Sequence, residues 1–190
     1  LGTLAIFRGL AKILSNGQTI RVQGFRFMGE GQFLGIPTPV WIILTVAVIL
    51  GFIMRYIVYG RNLYAIGANL DAARLSGIRN RMTIFATFVL TGFLAGVGGL
   101  MLTSQLTAAS PIAGIGLELS VVSAVILGGA SLYGGRGTII GTFLGVLILG
   151  TVNNGMTLSG LSSFWQEVAR GSILIAAVAF DQLRITMGGR

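Results

Sequence analysis

Apolar residues run along this chain in long blocks separated by short polar connections, with no sustained two-residue alternation. A helix needs about 20 apolar residues to cross roughly 30 Å of hydrocarbon. Pro39–Val58, Met82–Leu106 and Thr138–Met156 meet that length. Pro37 and Pro39 stand at the entrance of the first, where a missing N–H costs least. Trp165–Leu183 is also long enough, although Glu167 and Arg170 lie in its first turns. Leu117–Ala130 has 14 residues, a length open to a tilted span, a broken helix or a re-entrant hairpin. Leu1–Leu14 is apolar with Arg8 and Lys12 one turn apart, and reads as a helix end or as a helix lying against the bundle. The pattern predicts an all-α, polytopic transmembrane helical bundle, with residues 1–190 forming a single membrane domain. Because Leu1 opens inside an apolar stretch without an initiator Met, the chain reads as the later, C-terminal portion of a longer protein.

Composition narrows the chemistry. Of 190 residues, 54% are apolar and 9% charged, against a usual charged share of about 25%. Such a chain cannot coat a globular surface, so the lipid bilayer is its first partner. Cys and His are absent. That excludes disulfides, thiol nucleophiles and histidine acid–base chemistry, and no metal site is expected. The net charge of +8 sits in gaps between apolar blocks, which points to membrane orientation and not to nucleic acid. Tyr59–Arg81 holds Arg61, Arg74, Arg79 and Arg81, whereas Thr107–Gly116 has no Lys or Arg. The first connection is therefore expected inside and the second outside. If Leu117–Ala130 crosses fully, the preferred reading, Arg136, Arg184, Arg190 and the C-terminus fall inside. Lys12, Arg21 and Arg26 then lie near the outer face, against the trend.

Glycine is placed as well as abundant, at 30 residues. Gly137, Gly141 and Gly145 recur every four residues, as do Gly92 and Gly96 with Gly98 and Gly99 following. Small residues at that spacing let helix backbones approach where lipid supplies no hydrophobic push. Nucleotide motifs fail. Gly129 and Gly134 have P-loop spacing, but Gly135 stands where Lys is needed, and Gly29 and Gly31 are followed by Leu34 at the third dinucleotide position. No cofactor is expected on this chain, and any ATP must be bound by another polypeptide.

The most informative connection is YGRNLYAIGANLDAARLSGIRNR at Tyr59–Arg81. Asn69 suits an N-cap, Asp71 falls in a first turn where it can pair with Arg74, Ala72 and Ala73 favour helix, and Gly77 suits the position after a C-cap. A helix of about two turns is too short to persist alone in water. Tyr64, Ile66, Leu70 and Leu75 offer it apolar anchors.

Here the chain resembles a family. GRNLYAIGANLDAARLSGI is similar to the cytoplasmic coupling loop of permease subunits of bacterial ribose-type sugar ABC importers, and the likeness continues through FLGIPTPVWI and the run from Glu118 to Gln166. Family members are longer, with an earlier helical half bearing a GIDLSVGS-like motif that this chain lacks. The resemblance implies a multi-pass protein of the bacterial inner membrane. Its implied partners are a second permease copy, a cytoplasmic ATP-binding subunit and a periplasmic sugar-binding protein. By position, Arg61, Asn62, Tyr64, Gly67, Asn69, Asp71, Ala72, Ala73, Arg74 and Gly77 would form the segment that the ATPase pair grips.

A path for neutral sugars needs amides and hydroxyls, which are costly in hydrocarbon unless they face the bundle interior. Gln105, Ser120, Ser123, Asn153 and Asn154 are the candidates, with interhelical bonding the competing role for each. Glu167 with Arg170, and Asp181 with Arg184, are spaced to neutralise each other. The leading reading is a membrane subunit of an ATP-driven monosaccharide importer. The alternatives are a related permease for branched-chain amino acids or nucleosides, and an ATPase-independent secondary transporter or channel. No set of side chains supports an intramembrane enzyme.

Overall fold

A computed structural model describes residues 2–22, 24 and 26–188, the side chains of Phe180 and residues 183–188 excepted. The described chain is predominantly helical. Its contacts group into two compact units, residues 1–46 with 85–115, and residues 47–84 with 116–190.

In the first unit, α1 (Gly2–Leu14) precedes β1 (Ile20–Arg21), a short α2 (Phe27–Glu30), and the hairpin of β2 (Gln32–Phe33) and β3 (Ile36–Pro37). Leu34 and Gly35, at φ 54° and 77°, close the hairpin as the paired left-handed residues of a two-residue turn. The Trp41 indole N–H donates to the Phe33 carbonyl at 3.1 Å, tying this hairpin to α3 (Thr38–Tyr56). β1 pairs antiparallel with β4 (Ala108–Ala109), the residues just after α6 (Asn80–Leu106). Beside them the backbone of Gly29 approaches Ser104 and Gln105 where no Cβ would fit, and its N–H donates to the Ser104 hydroxyl at 2.8 Å. Four two-residue strands are thus added to the helical fold expected from the sequence.

The second unit holds α4 (Val58–Ala68), α5 (Leu70–Leu75), α7 (Leu117–Leu127), α8 (Ile139–Leu158) and α9 (Ser163–Gly188). α7 and α8 form an antiparallel hairpin of unusual closeness. A Cβ on Gly141 would run into the Gly128 carbonyl, and one on Gly145 into the Ala124 carbonyl. Side-chain bulk at either glycine would wedge the helices apart. Gly137 stands before α8, its position facing the Ala130 methyl. Gly92, Gly96, Gly98 and Gly99 differ, because open space surrounds each of them among the described residues. Their spacing makes a stripe on α6, but no described helix of this chain covers it.

α3, α6 and α8 are long and apolar enough to cross a membrane. α9 has the length, with its first turns made polar by Gln166, Glu167 and Arg170. Two expectations need correction. The first apolar block ends at Tyr56, not Val58: Ile57 turns extended and Val58 opens α4. The sequence hid this restart because Ile57 provides no side-chain cap. It is made possible by Gly60, where a Cβ would sit 2.5 Å from the Met54 Cα. Secondly, the Leu117–Ala130 block is helical only over α7. α7 has 11 residues and rises only about 16 Å. Gly116 and Gly129, at φ 80° and 87°, bound it with left-handed backbone.

Candidate functional site

The connection between α3 and α6 is a built structure. Asn69 ends α4 and caps α5, its side-chain oxygen accepting from the N–H groups of Asp71 and Ala72 at 3.0 Å each. At the other end Gly77, at φ 80°, donates to the Arg74 carbonyl while Ile78 donates to that of Ala73, the paired bonds that close a helix through a left-handed residue. The Asn80 amide reaches back to the Leu70 carbonyl at 2.9 Å. Both ends of a six-residue helix are therefore satisfied, as the sequence predicts for Asn69 and Gly77.

The expected anchors divide. Tyr64 and Ile66, on α4, are half-buried, and Ala73 of α5 is 4% exposed. Leu70 and Leu75 are not anchored within this chain: Leu75 is 90% exposed and Leu70 over half exposed. Arg61, Asp71, Ala72 and Arg74 face solvent, and Asn62 is half-buried. Among the described residues, Asp71 and Arg74 do not form the ion pair their spacing allows, and neither do Glu167 and Arg170. For Asp71 and Arg74, both exposed, the reason is energetic, since an exposed pair at this spacing gains too little to hold two side chains together.

α4 is seated on the loop that joins α7 to α8. The Tyr64 hydroxyl donates to the Gly137 carbonyl at 2.7 Å. A Cβ on Gly67 would lie 2.6 Å from the Gly135 amide nitrogen, and one on Gly134 would lie 2.5 Å from the Gly67 carbonyl oxygen. The same loop is bound from its other side by α9: the Asp181 carboxylate accepts from the Ser131 hydroxyl at 3.2 Å and the Leu132 N–H at 3.3 Å, and the Tyr133 hydroxyl donates to the Gln182 side-chain oxygen at 2.9 Å. A cleft of about 400 Å³ lies there, lined in part by Gly67, Ala68, Gly134, Arg136 and Gln182. Asp181 thus bonds the loop, and Arg184, its expected partner, has a side chain outside the described residues.

The path candidates are dispersed. Ser123 is 1% exposed and donates to the Leu119 carbonyl at 2.7 Å, and Ser120 donates to the Gly116 carbonyl at 3.2 Å. Both hydroxyls are satisfied within their own helix. Asn153 is half-buried, while Asn154 and Gln105 are exposed. Reading the sequence for amides missed Ser104, the neighbour of Gln105, which is 2% exposed and binds Gly29. A small hydroxyl matched with a distant glycine was the available signal.

Apolar helices of membrane length, a hairpin joined through glycine backbone and a capped polar helix on a connection define a multi-pass helical membrane protein of the transport-permease class. A family profile described as "Branched-chain amino acid transport system / permease component" matches residues 2–178, and the chain belongs to that family. The ribose import permease protein of Bacillus subtilis is 44% identical over 186 residues, covering 96% of this chain and 58% of that protein. The L-arabinose transport system permease protein of Escherichia coli is 42% identical over 186 residues (97% of this chain, 57% of the relative). For the D-allose transport system permease protein of E. coli the figures are 40% over 185 residues, 96% and 57%. The chain spans somewhat over half the length of these relatives. No solved structure matches it.

Proposed function

We propose that this chain is part of the membrane-spanning subunit of an ATP-driven importer that translocates a monosaccharide delivered by a periplasmic binding protein. ATP is bound by a separate cytoplasmic subunit, and a second permease copy completes the pathway. The relatives named for ribose, L-arabinose and D-allose favour a sugar over the branched-chain amino acid and nucleoside alternatives. The observation that carries the ATPase contact is α5 itself. A helix capped at both ends presents Leu70 and Leu75 outward, an apolar surface that a solvated turn has no use for.

The packing also supports an orientation. α4, the 131–137 loop and the Asp181 region of α9 meet at one end of the second unit. α8, with 20 residues, rises about 30 Å away from that end, and α9 returns to it. With the arginine-rich 59–81 connection inside, the loop and the C-terminal part of α9 fall on the cytoplasmic side. The residues between Leu106 and the loop then bring the chain back inward through a broken segment in which α7 is the helical part.

The test is Leu75→Asp in the full-length permease, co-expressed with its ATPase. ATPase co-purification and sugar uptake are expected to fall at least about tenfold, the effect of losing one well-buried apolar contact, with membrane insertion unchanged. Full retention of the ATPase by the variant would exclude α5 as the contact.

A further inference from the structure

We infer that α4 and the loop at residues 131–137 move as one rigid knuckle, so that a displacement of α5 is delivered into the α7–α8 hairpin and the end of α9. The inference rests on the coupling role proposed for α5 and adds the receiving element.

α5 follows α4 with only Asn69 between them, and that residue belongs to both, ending one helix and capping the other. Motion of α5 therefore reaches α4 first. α4 meets the loop without intervening side chains: Gly67 faces Gly134 and Gly135 backbone to backbone, with room for no Cβ on either side. Long side chains absorb a push by changing rotamer, whereas touching backbones transmit it, because close-packed contacts shift between discrete arrangements and do not compress. The Tyr64–Gly137 hydrogen bond adds direction by fixing the loop at a second point. Beyond the loop the stiffness persists, since Gly128 and Gly141 lock α7 to α8 through backbone, and Asp181 holds Ser131 and Leu132. Tyr64 and Gly67 are thus positioning residues.

Gly67 is a favourable probe because it lies in helical backbone, where Ala is intrinsically preferred. Gly67→Ala disturbs only the knuckle, and Gly150→Ala on α8, with nothing within 4 Å, makes the same chemical change in open space. Full-length permease carrying each variant would be reconstituted in vesicles with its ATPase and sugar-loaded binding protein, measuring ATPase retention, hydrolysis and uptake. Gly67→Ala should cut uptake about tenfold, as one tight backbone contact is overpacked. Tyr64→Phe should cut it about threefold through one lost hydrogen bond. In both the ATPase stays bound and more ATP is hydrolysed per sugar, with Gly150→Ala like the parent. Unchanged ATP-per-sugar ratios in both variants would overturn the knuckle while leaving the ATPase contact standing. If Leu75→Asp keeps its ATPase as well, the coupling role itself fails.

Discussion

Asn69 shows how much one side chain can do in a short connection. Its carboxamide satisfies two N–H groups of α5 while its backbone closes α4, so the boundary between the helices is set at one residue. Asn69→Ala removes both side-chain bonds and should cost the local fold about 1 kcal/mol, with amide exchange over residues 71–76 rising about fivefold. Asn69→Asp keeps an acceptor and should restore most of the protection. Unchanged exchange in Asn69→Ala would show that tertiary contacts, with Ala73 buried beneath, hold α5 without its cap. This capping was legible in the sequence because its geometry is local, needing only residues two and three positions away. The Tyr64 hydroxyl was not legible in the same way. Its acceptor, the Gly137 carbonyl, lies 73 positions along the chain.

At the scale of elements, the α7–α8 hairpin depends on absent side chains. Gly141 and Gly145 touch opposing carbonyl groups, so Gly145→Val should destabilise the second unit by roughly 1–3 kcal/mol. Gly150→Val, facing open space on the same helix, should change stability only by the difference in helix propensity, about a few tenths of a kcal/mol in favour of Val. Detergent melting of the two full-length variants compares them directly, and equal melting temperatures would remove the packing argument. The four-residue glycine spacing pointed to this contact in advance. The identical spacing of Gly92 and Gly96 found no partner in the described chain. Periodicity identifies a face suited to close approach, and only the arrangement of the other helices decides whether something occupies it. α4 was illegible for a different reason, because neither an N-cap residue nor a clean apolar stripe announces a helix that restarts one residue after another ends.

For the molecule as a whole, orientation is the testable property. Single cysteines at Leu75, Tyr133 and Gln182 in the full-length protein should react with an impermeant thiol reagent from the cytoplasmic side, and one at Ser162 from the opposite side. Labelling of positions 133 and 182 from outside would reverse the proposed placement of the C-terminal part. Sequence alone determined that this is a helical membrane protein, because apolar length and charge scarcity are summed along the chain and need no fold to be read. It also determined the capped helix in the arginine-rich connection and the likeness to sugar permeases. Tertiary structure alone decided that α7 is a half-length helix, that Leu75 lies outward, and that the 131–137 loop is clasped between α4 and α9. Those outcomes depend on pairs such as Gly67 with Gly134 and Ser131 with Asp181. Their sequence separation leaves no periodic trace, and their energy appears only when the backbones meet.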